Sequence, residues 1–395
     1  AINQEQNKPW GILNGIRPAK IALKLLNSGS NRQQVIDYFI NTCGTTIEKA
    51  KLAAEVAEHE LPVKQAMYKN GISLYIGIPF CPTRCLYCSF VTCGTRQAAK
   101  LIPDYVEALK KEIAYTGQLA ADNGKTIETV YIGGGTPTTL SASQLDDMLG
   151  QVRKSFDLSH CREFTVEAGR PDTITPEKLE TLKKHNINRI SINPQTMNAQ
   201  TLKIIGRAHT PQQIKDAVSL AEKYDFDCIN MDVIAGLPGE TYDMFKYTLN
   251  EVAVMKPGNI TVHTMSIKRS SRLHEYLSDY ELTSGAEVEH MIDFARTFMS
   301  DNGYHPYYLY RQKNQLGNLE NVGYSKDKLD SLYTIYIMEE YIWGEVNSYD
   351  AIIDSNGKPM FETGNVSPVS IMDIVNEYQE MIKNEVLAVT IEEKD

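Results

Sequence analysis

Between Gly71 and about residue 300 the chain alternates short β-rich runs with amphipathic helical stretches, and this alternation restricts its fold more than any other feature. Runs rich in β-branched and aromatic residues predict strands over 73–78, 129–132, 163–166, 189–192, 228–234 and 259–264. Between them lie stretches of helical period such as "DYVEALKKEIAYTGQL", "TPEKLETLKKHN" and "TPQQIKDAVSLAEKY". Strands that alternate with helices are joined by crossovers, which makes the sheet parallel and wraps it in helices. Six such units are too few to close an eight-stranded barrel. The expected fold is therefore α/β: a partial, TIM-like (β/α)6 barrel, with chemistry on the loops that leave the C-terminal strand ends.

The flanks read differently. Residues 1–70 carry helical spacing, clearest in "TTIEKAKLAAEVAEHELPVKQAM", where Thr45 or Thr46 is placed to cap, and form a helical accessory region ahead of the barrel at 71–300. Residues 301–395 form a small α/β segment expected to cover a substrate, opening on a Tyr-rich run, "YHPYYLYRQKNQLGNLENVGYS", and ending in a helix over "SIMDIVNEYQEMIKN".

Composition removes several classes of function. A formal charge of −10 over 395 residues argues against generic nucleic-acid binding. No apolar run approaches the ~20 residues that span a bilayer, and the start "AINQEQNKPW" has no signal or transit pattern. Without an initiator Met, the chain is expected to continue upstream. Seven unevenly spread cysteines in so large a chain are no disulfide framework, and a reducing cytoplasm is the expected compartment.

Three of those cysteines, Cys81, Cys85 and Cys88, stand in eight residues as C-x3-C-x2-C. Structural zinc usually takes four ligands, commonly in two pairs. Three thiolates on one loop stiffened by Pro79 and Pro82 suit an iron–sulfur cube with one iron left open. A second loop, "YIGGGTPTTL", follows the next strand; its consecutive glycines let backbone N–H groups approach a ligand, although such loops are more often tight turns.

With Tyr87 ahead of the last cysteine, the pattern resembles the signature of the radical S-adenosylmethionine (SAM) superfamily. The resemblance implies a [4Fe–4S] cluster on Cys81, Cys85 and Cys88, whose open iron chelates SAM; one electron then yields methionine and a 5′-deoxyadenosyl radical. "GGGTP" is similar to the oxygen-independent coproporphyrinogen III oxidase branch, and implies contacts to SAM from Gly133, Gly134, Gly135 and Thr136. The later strand ends agree in order. "FTVEAGRPDTIT" puts Glu167 at the third, "RISINPQTMN" puts Gln195 past the fourth, and "INMDVIAGLPGET" puts Asp232 in the fifth. "IGRAHT" adds Arg207 and His209. The branch implies that Glu167, Gln195, Arg207 and Asp232 face one or two SAM molecules, together with Tyr75, Tyr87 and Met265, and that Tyr75, Gln195 and Arg311 serve in catalysis. Singly, each has a plain structural reading: Arg207 as a surface cation, His209 as a helix-start partner, Asp232 as a paired buried acid.

"PWGILNGIRPAKIALKLL", "YIGIPFCPTRCLYCSF" and "ENVGYS" together resemble the variant coproporphyrinogen dehydrogenases of the HemZ type. The implied reaction decarboxylates two propionates of coproporphyrinogen III to vinyls, with a tetrapyrrole substrate and a reductant such as flavodoxin or ferredoxin as partners. Arg269, Arg272, Arg311 and Lys313 are candidate propionate holders, and the Tyr-rich run a candidate platform for the macrocycle. Three departures stand out. Gly77 replaces a His of the better-known oxidase, Phe90 replaces its fourth Cys, and "EEYIWGEVNSYDA" stands where the variant group has a Gly-rich segment. Cys93 reads as a packing thiol. Two alternatives stay open: a haem-opening methyltransferase, and a haem chaperone, against which "LENVGYS" in place of an "HNxxYW"-like segment argues.

Overall fold

The computed structural model describes residues 8–14, 17–90, 93–338 and 343–346, leaving aside the side chains of residues 93, 97 and 343–346. The packing reading of Cys93, the replaced Gly-rich segment apart from the backbone of 343–346, and the expected terminal helix over 370–384 lie outside this description.

Six parallel strands form in the expected places: β1 (Gly71–Ile78), β2 (Thr126–Gly134), β3 (Glu163–Glu167), β4 (Arg189–Ser191), β5 (Cys228–Ala235) and β6 (Asn259–Thr264). The chain then adds an antiparallel pair, β7 (His305–Tyr310) and β8 (Asn321–Ser325), beside β6, and lays β9 (Trp343–Val346) parallel to β1. The sheet order is β9-β1-β2-β3-β4-β5-β6-β8-β7, and among the described residues no pairing joins its two ends. The result is a mixed α/β sheet curled as an open, TIM-like partial barrel.

Alternation along each strand sorts the two faces. Val130, Ile132, Val166, Ile190, Val233 and Val262 join the apolar core. Their neighbours Tyr131, Glu167, Arg189, Asp232 and His263 line cavities inside the barrel. This explains strands that read as β without being continuously apolar. The crossover helices start at side-chain caps: Thr175 before Pro176–Lys184, and Thr210, in a capping box with Gln213, before Pro211–Ala221. At both, Pro opens the helix where its missing N–H costs nothing.

The N-terminal region folds as α1 (Pro18–Asn27), α2 (Arg32–Asn41) and α3 (Ile47–Gln65), and of the two candidate caps Thr46 does the work, accepting from Lys49 N. These helices share one continuous core with the barrel, from Trp10 to Tyr324. The buried Glu320 fixes the joint: Trp10 Nε1 donates to it at 2.7 Å and Lys49 Nζ at 2.6 Å. The Tyr-rich run forms the sheet strands β7 and β8; Tyr307 and Tyr308 are buried in it, and of its strand tyrosines Tyr310 borders the cavity of the cysteines.

Candidate active site

The loop after β1 carries the three cysteines, and all three border one cavity of about 420 Å³ at the C-terminal ends of the strands. Its size lies within the range of ordinary cofactor pockets. Neighbouring loops hold the cysteine loop in place. Leu86 N donates to Ile205 O at 3.0 Å, Thr83 Oγ1 to Gly206 O at 2.8 Å, and Arg170 Nη1 to Thr83 Oγ1 at 2.9 Å. Gly135 N and Thr136 N donate to Ile78 O and Phe80 O at 2.7 and 2.8 Å. A Cβ on Gly135 would stand 2.6 Å from Phe80 O, so this glycine is required by close approach of two backbones.

Burial pushes the Cys81 thiol up to about 12, against a hydrogen bond with Thr136, and the Cys88 thiol up to about 11. Such thiols ligate iron only as thiolates, so binding releases their protons and is favoured as pH rises. Arg207 is the buried cation beside them. Its guanidinium donates to Gly169 O at 3.0 Å and Asn193 O at 2.6 Å, reaches the Tyr87 hydroxyl at 3.3 Å, and lies 4.0 Å from Cys85 Sγ. The surface reading of Arg207 is thereby replaced. His209 is buried with neither ring nitrogen hydrogen-bonded; burial and then Arg207 push it down to about 3, and it does not border this cavity.

Of the expected site residues, Tyr87, Gly134, Gly135, Thr136, Glu167, Gln195, Arg207, Asp232 and Met265 border this cavity with the cysteines. Gly133 stands just before it, packed on Tyr131 and Glu167. Tyr75 and Arg311 do not border it. Tyr75 stacks in a row with Tyr131 and Tyr333, its centroid 6.1 and 6.4 Å from theirs. Arg311 is corrected outright: its guanidinium lies over Trp10 and donates to Leu13 O at 2.6 Å and Asn318 Oδ1 at 2.8 Å, a structural clamp on the N-terminal region. Arg269, Arg272 and Lys313 are exposed and border no part of the cavity.

Sequence reasoning passed over Lys268, which does border it, half-buried; the adjacent Arg269 took the attention because guanidinium suits carboxylates. Burial lowers the Lys268 ammonium below its usual range, and among the described residues no carboxylate pairs with it. Asn193 and Asn321 were also missed, having no signal beyond their place at strand ends.

The walls keep unsatisfied groups for a guest. Asn193 Oδ1, Gln195 Oε1 and Asn321 Nδ2 are buried, unpartnered, and carried by residues that border the cavity. Gln195 adopts φ 64° while its N–H donates to Asp232 O at 2.9 Å, a left-handed conformation rare for a non-glycine residue. Orphaned amides beside three thiols fit a polar, hydrogen-bonding cofactor next to a metal cluster.

The acids below differ in charge. Asp232 is lowered overall: burial raises it, but the hydrogen bond from His263 and those from Asn230 and Thr261 outweigh burial. Glu167 is raised to about 7 by burial, against the hydrogen bond from the Tyr131 hydroxyl. A carboxyl raised from 4.5 to about 7 stabilises the fold below pH 4.5 and loses that contribution as pH climbs through 7. Glu167→Gln is therefore expected to gain stability over the parent between pH 5 and pH 8, by about 2–3 kcal/mol, in urea unfolding of the cofactor-free protein. A gain independent of pH would contradict the assignment.

Comparison with known proteins agrees with this geometry. Residues 75–252 match the radical SAM superfamily model. The chain is 43% identical to the oxygen-independent coproporphyrinogen-III oxidase-like protein HemZ of Bacillus subtilis over 84% of its own length and 67% of that protein. It is 33% identical to the heme chaperone HemW of Lactococcus lactis over 61% of its length and 62% of that protein. Among solved structures, the Escherichia coli coproporphyrinogen III oxidase HemN, a radical SAM enzyme, matches with TM-score 0.54 and 25% identity over 68% of this chain and 59% of that one. The chain belongs to the radical SAM superfamily, in the branch that contains HemZ, HemN and HemW. It spans about two thirds of the length of the curated relatives it matches. Among the described residues no helix is long and apolar enough to cross a membrane.

Proposed function

We propose that Cys81, Cys85 and Cys88 hold a [4Fe–4S] cluster, that Gly134, Gly135, Thr136, Glu167, Gln195, Arg207, Asp232 and Met265 surround SAM, and that the protein oxidatively decarboxylates a coproporphyrinogen-like tetrapyrrole. The observation that carries the cofactor reading is the meeting of three thiols and the unpartnered Asn193 and Gln195 amides on one cavity. When bound, the cluster would supply an electron and SAM a hydrogen-abstracting radical, the chemistry that oxidative loss of a propionate carboxyl as carbon dioxide needs, with an external acceptor for the remaining electron.

The chain's own residues orient and exclude. Arg207 ties the loops after β3 and β4 to the cysteine loop through Gly169 O, Asn193 O and the Tyr87 hydroxyl, and would hold that loop in place beside a bound cofactor. Asp232, kept ionised by His263, is suited to accept from ribose hydroxyls. Glu167, shared between anionic and neutral forms near pH 7, can accept or donate one proton through Tyr131. Lys268 is the wall cation left for a substrate carboxylate, and Phe90, 63% exposed on the cysteine loop, offers the macrocycle an apolar edge. The likeness to HemZ at 43% supports this substrate, while that to HemW at 33% favours a second reading, haem binding without turnover.

Anaerobic reconstitution followed by mass spectrometry separates the two. Coproporphyrinogen III should lose two carboxyl groups as carbon dioxide; unchanged tetrapyrrole and retained haem would favour the chaperone reading, and opened, methylated haem a degradative one. Lys268→Ala should raise the KM for the tetracarboxylate about tenfold, the worth of one charge-assisted hydrogen bond, while SAM affinity is unchanged.

A further inference from the structure

Far from the cavity, donor groups from three separate segments converge. His59 lies in α3, His305 opens β7 and Asp330 follows β8, and one donor atom from each lies within 4.8 Å of the others. His305 stands opposite Ser325 and Ser325 opposite Asn259, the first residue of β6, which puts the group at the N-terminal end of the barrel.

Asp330 Oδ1 lies 2.9 Å from His305 Nε2, and Nδ1 of the same ring lies 3.8 Å from Asp327 Oδ1. The His305 Nε2 and Asp330 Oδ1 atoms that now share a hydrogen bond are close enough to share one ion instead. The His59 ring stacks on His305 with centroids 4.0 Å apart. Among the described residues no hydrogen bond holds it, so it can turn to bring both rings onto one ion. Glu55, one helical turn before His59, and Glu58 add negative charge to both the α3 face and the pair. Arg32 is the countercharge there, pairing with Glu58 and lying 4.0 Å from Glu55.

We propose that His59, His305 and Asp330 form a divalent transition-metal site that ties α3 to the β7–β8 pair, with a neighbouring carboxylate, Asp327 or Glu55, completing the coordination. Two imidazoles with carboxylate oxygens suit zinc. The site is independent of the cluster and owes nothing to the cysteines.

The test uses cluster-loaded protein, titrated anaerobically with zinc chloride, desalted, and read by metal analysis and thermal unfolding. One zinc per chain should be retained beyond the iron, with a rise in Tm that grows with zinc concentration. His59→Gln and Asp330→Asn should each weaken zinc binding tenfold or more while iron content and SAM cleavage stay at parental levels. Cys85→Ala should lose iron yet keep the zinc. Zinc that persists in both His59→Gln and Asp330→Asn but leaves with Cys85→Ala would assign the metal to the cluster thiols and overturn the proposal, as would failure of the parent to retain zinc.

Discussion

Cys85→Ala is expected to purify folded but without iron, and to cleave SAM no faster than cluster-free protein. The effect should be all-or-none because, among the described residues, the set has no reserve. Among the described residues the remaining thiols, Cys43, Cys161 and Cys228, border no part of the cavity. Two thiolates cannot hold a cube that three hold with one iron already open. Cys81→Ala and Cys88→Ala should behave alike, since both thiols open on the same cavity. Cys228→Ala is the matched control. Its thiol is buried, 3.3 Å from Asn259 Oδ1, and its loss should cost about 1 kcal/mol of stability and leave iron content unchanged. Iron analysis, absorbance before and after dithionite, and methionine release from SAM read the outcome. A full cluster in Cys85→Ala would sink the ligand set.

The parts legible in the sequence were those with short-range grammar. Runs rich in β-branched and aromatic residues placed six strands within a few residues, because Val130, Ile132, Val166 and Val233 pack in the core while Tyr131, Glu167 and Asp232 between or beside them face the cavities. The helical stretches "TPEKLETLKKHN" and "TPQQIKDAVSLAEKY" were legible too, and each starts at a capping Thr, Thr175 and Thr210, for local reasons that no tertiary contact overrides. The cysteine spacing survived for the same reason: one loop holds all three.

What could not be read depends on contacts between distant segments. Arg311 looked like a substrate cation from its tyrosine-rich surroundings. Its actual partners, Leu13 and Asn318, are set by the docking of the N-terminal region against the sheet. The run 305–310 looked like an aromatic platform, yet antiparallel pairing with β8 buries Tyr307 and Tyr308 and leaves Tyr310 to border the cavity. Lys268 and Arg269 are neighbours of similar charge, and only the direction of the chain after β6 decides which of them meets the cavity.

Arg207→Met should separate folding from function most informatively after the cysteines. The guanidinium is buried and bonded to two carbonyls from different strand-end loops, with the Tyr87 hydroxyl and the Cys85 sulfur on its other side. Removing it leaves Asn193 O without its guanidinium donor, leaves Gly169 O with only the Asn193 N–H at 3.3 Å, and takes a positive charge from beside the thiols. Two hydrogen bonds from a charged donor are worth about 3–5 kcal/mol together. Little of this should appear as global unfolding, because the loops are anchored elsewhere, by Leu86 N to Ile205 O and by Thr83 to Gly206 O. It should appear as looser geometry at the cavity: SAM affinity down by about a hundredfold, consistent with roughly 3 kcal/mol, and iron loading reduced but not abolished. Arg207→Lys keeps the charge without the fork, and should recover iron loading more than SAM binding. A variant that loses Tm while binding SAM with parental affinity would reduce Arg207 to scaffold. Parental Tm with a hundredfold loss of affinity would make it the residue that sets cofactor against cluster.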